Sequence, residues 1–213
     1  MITCLLMNGK PKLPVEAVIF DLGRVLVGVD LSRPLWARIM GGLDGENGTG
    51  HGDQWQEVYR AYATGRLPPQ QFYVQLRQFL GESFSYDVFV EQWCDAFYVM
   101  DGSEDLLRRV LAKVPVGLLS DTDPLHWARL RKRFGWLDLI AKPTLSFEIG
   151  YLKPDPHCYA MAAANLGLAP DACFFVDDLL ANVEGARAAG MDAERFVDLD
   201  TLRAQLRQRA LPD

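Results

Sequence analysis

The chain is poor in the residues that build transition-metal and disulfide frameworks. Its 213 residues include three histidines and four cysteines. Cys4, Cys94, Cys158 and Cys173 are scattered with no CxxC pair, so neither a zinc site nor a disulfide scaffold is indicated. Reduced thiols and a cytoplasmic location are the expectation. No apolar run reaches the roughly 20 residues needed to span a bilayer. Residues 1–14 lack a basic segment followed by a signal-length apolar stretch, and read as a loose lead-in. Basic residues are outnumbered, 22 Lys and Arg against 28 Asp and Glu, for a formal charge of −6. That balance speaks against a nucleic-acid or membrane partner. It leaves room for an anionic small molecule, because a bound divalent cation reverses the local field.

What remains is an ordinary globular composition, 49% hydrophobic, long enough for one domain or a core with a small accessory domain. The apolar run at 15–20 predicts a first strand. Residues 28–100 change character. Ser32-Arg33-Pro34 reads as a helix start, and 53–64, 68–80 and 85–98 place apolar residues at helical spacing. This insert therefore reads as all helical, except for the glycine-rich segment GGLDGENGTGHG (41–52), which reads as a flexible linker. After residue 100 helices and strands alternate. Strands are expected at 114–119, 144–147, 172–176 and 194–197. Helices are expected at 103–113, 124–134, 156–166, 179–189 and 199–210. Alternation of this kind implies an α/β fold with a doubly wound parallel sheet covered on both faces.

In such a sheet the carboxyl ends of the strands converge on one edge. The first strand delivers Asp21 onto a turn containing Gly23, and the second delivers Ser120-Asp121-Thr122. The loop after the third carries Lys153, and the fourth ends in Asp177-Asp178. Clustered carboxylates raise one another's pKa unless a cation sits among them. Mg²⁺ suits oxygen ligands, so Asp21 with Asp177 and Asp178 is a plausible site. Phosphate held there would face an oxygen of Asp21, and attack would give an aspartyl-phosphate. Ser120 can donate to a phosphate oxygen, and Lys153 can bind phosphate and keep Asp21 ionised. His51, His126 and His157 fit none of these roles and read as incidental. The five tryptophans read as packing residues, with those of the insert available to line a pocket.

Four segments carry a resemblance: VIFDLGRVLV (18–27), VGLLSDT (116–122), GYLKPDP (150–156) and FFVDDLLANVEGARAAG (174–190). The chain resembles the haloacid-dehalogenase superfamily. Within that superfamily its FDLG start, KPDP segment and DDxxxN pattern resemble the subgroup of sugar-1-phosphate phosphatases and the phosphatase domains of epoxide hydrolases. The resemblance implies a Rossmann-like catalytic core, 1–27 with 101–213, and a helical cap, 28–100, inserted after the first strand. It implies a Mg²⁺-dependent phosphatase acting on a small phosphorylated molecule, a phosphosugar above others. Asp21 and Lys153 would be catalytic, and Ser120, Asp121 and Lys153 would bind phosphate. Asp21, the Gly23 carbonyl, Asp177 and Asp178 would surround the metal. Two positions depart from the pattern. Gly23 stands where the superfamily's phosphatases usually place a second aspartate as general acid, a function worth roughly 10²–10⁴-fold, although the FDLG form does occur in the resembling subgroup. Asp121 stands where the subgroup commonly has Asn. Two other readings stay open: a degenerate member that binds phosphorylated ligands with little turnover, and a metal-independent 2-haloacid dehalogenase.

Overall fold

The computed structural model describes residues 6–7, 10–11, 14–44 and 52–213. Two short strands, Leu6–Met7 (β1) and Lys10–Pro11 (β2), pair antiparallel within the segment expected to be a loose lead-in. Ala17–Phe20 (β3) follows, then Val27–Val29 (β4). The insert carries Pro34–Asp44 (α1), Gly52–Ala63 (α2), Pro69–Leu80 (α3) and Tyr86–Trp93 (α4). It closes with Phe97–Val99 (β5). The rest alternates: Ser103–Leu111 (α5), Val116–Ser120 (β6), Pro124–Arg133 (α6), Pro143–Leu145 (β7), Ser146–Ile149 (α7), Pro156–Asn165 (α8), Cys173–Asp177 (β8), Leu180–Ala188 (α9), Asp192–Arg195 (β9) and Leu199–Gln208 (α10).

The five-stranded sheet has the order β7-β6-β3-β8-β9, parallel throughout. The strand order reverses between β3 and β8, so a crevice opens beyond their carboxyl ends. Alternate residues of each strand serve opposite faces. Val18, Phe20, Phe174 and Val176 pack with α5 and α10 through Leu106, Val110, Leu202 and Leu206. Ala17, Ile19, Cys173 and Phe175 pack with α8 and α9 through Tyr159, Ala162, Val183 and Ala186. Burial on both faces explains why β3 and β8 read as unbroken apolar runs.

The insert has a core of its own. Leu35, Ile39, Tyr62, Phe72, Phe89 and Trp93 form a separate aromatic-rich cluster. Expectations for this region need three corrections. The insert is not all helical, because β4 and β5 pair antiparallel at its two ends, with Val27 opposite Val99 and Val29 opposite Phe97. The last helix accordingly stops at Trp93, where a 3₁₀ turn over Cys94–Ala96 leads into β5. Residues 41–44 belong to α1 rather than to a loop. The remainder of the glycine-rich linker, 45–51, lies outside the described residues. Elsewhere, β7 gives way to α7 at Ser146, and β9 begins two residues before its expected start.

The insert touches the core closely at two places. Gly65, with φ of +72°, lies against the short helix α7, where a Cβ would sit 2.1 Å from the Phe147 carbonyl oxygen. Only glycine accepts both that backbone conformation and that approach. The second contact is Asp123, the N-cap of α6. Its Oδ1 accepts from the backbone N–H of Leu125 and His126 and from Tyr62 Oη at 2.9 Å. Its Oδ2 accepts from Trp93 Nε1 at 3.0 Å and meets His126 Nδ1 at 2.7 Å. Burial alone would raise this carboxyl. The His126 imidazole and the hydrogen bonds from His126 and Tyr62 instead hold it below the usual carboxylate range.

Candidate active site

The residues expected at the sheet edge do meet there. Asp21 follows β3 directly, Ser120 ends β6, and Asp177 ends β8 with Asp178 next. Lys153 arrives from the loop between α7 and α8. Its Nζ lies 2.5 Å from Asp21 Oδ1, 2.7 Å from Asp177 Oδ2 and 3.3 Å from the Leu119 carbonyl oxygen. The ammonium is buried with both carboxylates. Burial alone would lower its pKa, but Asp21 and Asp177 reverse that and hold it above the ordinary lysine range.

The two acidic neighbours after β8 have different environments. Asp177 is fully buried and its oxygens are occupied. Oδ1 accepts from the Leu179 N–H at 2.8 Å, and Asn182 Nδ2 lies 3.0 Å from both oxygens. Asp178 is partly exposed and faces Arg24, whose Nη1 lies 3.6 Å from its Oδ2. One carboxylate oxygen from each of Asp21, Asp177 and Asp178 lies within 4.8 Å of the others. Burial pushes the Asp21 carboxyl up to about 7. Lys153 opposes the rise and Asp177 adds to it. Burial, and then Asp177, also raise Asp178, against the pull of Arg24. A buried all-oxygen set with more negative than positive charge fits a hard divalent cation.

Asp121 turns toward the lysine loop, where its Oδ1 accepts the backbone N–H of Lys153 at 3.1 Å. Gly23 bridges to Val27 beside Asp21, with its backbone outside the left-handed region and a Cβ position 3.4 Å from Val29 Cγ2. Arg24, by contrast, adopts φ of +60°, unusual for a residue with a Cβ. These groups border a cavity of about 300 Å³. Its floor is polar: Asp21, Ser120, Lys153, Asp178 and Asn182. Its roof, from the insert and its flanks, is Val29, Leu31, Trp36, Tyr59 and Phe97.

Among the cavity residues that carried no assigned role in the sequence are Asn182, His126 and Arg24. Asn182 stands in the DDxxxN pattern, which held the signal. His126 is not incidental: it is buried, lines the cavity, and its Nε2 lies 2.9 Å from the Trp93 carbonyl oxygen. An Asp at an N-cap with His three residues on was the available clue. Arg24 gave no signal, because its backbone conformation is not legible from its neighbours.

A family model described as haloacid dehalogenase-like hydrolase matches residues 15–190. The chain belongs to that family. The match spans the whole arc from β3 to the end of α9, so the four segments of the site lie inside it. Among curated relatives, a D-ribitol-5-phosphate phosphatase of Bacteroides thetaiotaomicron is 24% identical over 84% of this chain and 90% of its own. A phosphatase of Mycobacterium tuberculosis is 41% identical over 42% of this chain and 41% of its own. Among solved structures, a haloacid dehalogenase family enzyme of B. thetaiotaomicron, in complex with magnesium and inorganic phosphate, aligns with a TM-score of 0.75. It shares 24% identity and covers 88% of this chain and 98% of its own. The L-2-haloacid dehalogenase of Xanthobacter autotrophicus aligns less well, with a TM-score of 0.59 at 18% identity, covering 91% and 83%. These likenesses support the fold. Among the described residues no helix is long and apolar enough to cross a membrane.

Proposed function

We propose that the protein is a Mg²⁺-dependent phosphatase of small organic phosphate monoesters that works through an aspartyl-phosphate on Asp21. The observation that carries this is the Lys153 ammonium clamped between Asp21 and Asp177 at the switch point of the sheet, with Asp178 opening onto the cavity. Asp21, the Gly23 carbonyl and Asp178 would hold the metal, with Asp177 close behind. The ion would supply charge neutralisation for the phosphate. The chain's own groups do the rest. Lys153 keeps Asp21 anionic and faces the phosphate as a point charge. Ser120 donates to a phosphate oxygen. Asp121 and Asp177 position Lys153, from its backbone and from its side chain. The insert, taken as residues 28–100, acts as a cap over the core, 1–27 and 101–213, and excludes water. The names of the curated relatives favour phosphate esters, and the first favours a sugar-type one.

Hydrolysis of para-nitrophenyl phosphate tests the reading. Turnover is expected with Mg²⁺, lost with chelator and lost in Asp21→Asn. Wild-type rates in that variant would show that Asp21 is structural. A folded, Mg²⁺-binding protein without turnover would mark the degenerate reading that Gly23 favours. Halide release from a 2-haloacid without metal would mark the dehalogenase.

A further inference from the structure

A second cavity adjoins the first. It encloses about 520 Å³ and shares Arg24, Val29 and Asp178 with the active-site cavity. It lies between the β4–β5 pair and the end of β9, where Arg195 stands. Its charged lining side chains are Arg24, Arg195 and Asp178. Both arginines meet on Asp178. Arg24 Nη1 lies 3.6 Å from Asp178 Oδ2, and Arg195 Nε donates to the Asp178 backbone carbonyl at 2.9 Å. The register of β9 on β8 sets Arg195 opposite Asp177, so it reaches the carboxyl edge of the sheet beside the phosphate floor.

Two features set these arginines apart. The first is charge. Arg108, Arg109, Arg131, Arg187, Arg207 and Arg209 are each paired with a carboxylate. Among the described residues Arg195 has no such partner, and Arg24 has Asp178 alone, at a distance longer than a hydrogen bond. In a chain of net charge −6, a cavity with two guanidinium groups and one carboxylate reverses the prevailing sign. The second feature is backbone. Arg24 holds φ of +60°, a conformation that glycine takes at no cost. Its N–H donates to the Val27 carbonyl at 2.6 Å, inside the turn that follows Asp21. A residue with a Cβ kept there stores strain, and strain of this kind gathers at ligand-binding positions. What the side chain gains is position, since it lines both cavities.

From this juxtaposition, and resting on the phosphatase reading above, we infer that the substrate is a phosphate monoester carrying a second anionic group, a carboxylate or a second phosphate. Arg24 and Arg195 hold that group in the second cavity while the phosphate to be transferred sits on the floor of the first. Asp178 turned toward a metal no longer balances Arg24, so both guanidinium groups then face an anion. Their planar forks match a carboxylate or a phosphate through paired N–H donors. Neither arginine needs to reach the reacting phosphorus. They select the substrate by its far end, and the trio of Lys153, Asp21 and Asp177 is left to the chemistry.

The test uses the Mg²⁺-loaded full chain and probes matched except for that group. In one pair, 3-phosphoglycerate carries a carboxylate where glycerol 3-phosphate has a hydroxymethyl group. In the other, fructose 1,6-bisphosphate carries a second phosphate that fructose 6-phosphate lacks. In at least one pair kcat/KM should favour the doubly anionic member by about tenfold or more, the worth of hydrogen bonds to a charged group. The pair that responds tells carboxylate from phosphate. Arg24→Gln and Arg195→Gln should each lower that ratio by about threefold or more, mainly through KM. Arginines that merely support Asp178 would lower both members of a pair equally, and an unchanged ratio in both variants overturns the assignment. Ratios near one in both pairs for the wild type overturn it as well, and they decide the matter even where a variant does not fold. If no probe is hydrolysed, para-nitrophenyl phosphate included, the phosphatase reading fails. Calorimetric titration of each pair into the same Mg²⁺-loaded protein then decides the subsite: binding about tenfold tighter for a doubly anionic member keeps it, and equal binding in both pairs overturns it.

Discussion

Replacing Asp21 by Asn is expected to abolish turnover and, with divalent cations removed, to stabilise the fold. The reason is the charge count at the sheet edge. Asp21 and Asp177 share one buried ammonium, so the trio carries a net negative charge away from water. Burial raises the Asp21 carboxyl from its ordinary 3.8 to about 7. A folded pKa above the unfolded one means that ionisation opposes folding. The cost is absent well below pH 3.8, grows between 3.8 and 7, and is constant above. At 1.36 kcal/mol per pH unit it reaches about 4 kcal/mol at pH 8 and stays under about 2 kcal/mol at pH 5. Asn removes the charge, while its amide oxygen can still accept from Lys153 Nζ. The assay is thermal or urea unfolding of both proteins with chelator at pH 8 and pH 5. For a chain of this length each kcal/mol moves Tm by roughly 2–4 °C. A higher Tm for Asp21→Asn at pH 8, with a smaller gap at pH 5, is the expected result. A less stable variant at pH 8, or a gap independent of pH, would refute the charge argument.

Other perturbations probe separate parts of the molecule. Asp178→Ala should weaken Mg²⁺ binding more than about tenfold in calorimetric titration, since even groups behind a metal ligand are worth that much; unchanged binding would remove Asp178 from the site. Asp123→Ala strands Tyr62 Oη, Trp93 Nε1 and His126 Nδ1 at once. It should cost about 3–5 kcal/mol in urea unfolding, and a loss below 1 kcal/mol would show that the insert is held elsewhere. Gly23→Asp has room at its Cβ, with Val29 Cγ2 at 3.4 Å as the nearest neighbour. By restoring an acid it should raise kcat/KM for alkyl phosphates more than for aryl phosphates, by up to about 100-fold; equal effects on both would show that another group already supplies the proton.

The sheet was legible because its strands are buried on both faces. Runs such as CFFV at 173–176 have no reading as a solvent-facing strand, and helical periods between them force parallel crossovers. The short strands β4 and β5 were not legible. Phe97, Tyr98 and Val99 continue the apolar spacing of the helix before them, and only pairing with Val27–Val29 makes them a strand. Tertiary contact decides such three-residue segments, and local pattern does not contain it. A similar limit explains α7, which takes four residues immediately after β7 and was absorbed into that strand.

The floor of the site and its roof differ in legibility for a physical reason. Asp21, Ser120 and Asp178 sit at the ends of strands, Lys153 lies in the connection that follows β7, and topology alone brings these places together. Asp21, Ser120, Lys153 and Asp178 could therefore be gathered from sequence order before any distance was known. Roof residues sit on α1, α2 and the short β4–β5 pair of the insert, whose placement depends on how one cluster of side chains docks on another. That docking is set by Gly65 against Phe147 and by Tyr62 and Trp93 of the insert donating to Asp123. None of these contacts has a sequence period. The consequence reaches function. On the proposed reading, the part of the site that would perform phosphoryl transfer is written in strand order, whereas the part that would contact the rest of the substrate is written in packing. A substitution at Gly65 or Asp123 that tilts the insert should thus change substrate preference while leaving the Lys153, Asp21 and Asp177 trio intact. Gly65→Ala makes the distinction measurable, because it forces the insert away from Phe147 without touching the floor. The ratio of kcat/KM values for phenyl and acetyl phosphates should fall in that variant while Mg²⁺ affinity stays at the wild-type value. A loss of Mg²⁺ binding in Gly65→Ala would show that floor and roof are one mechanical unit.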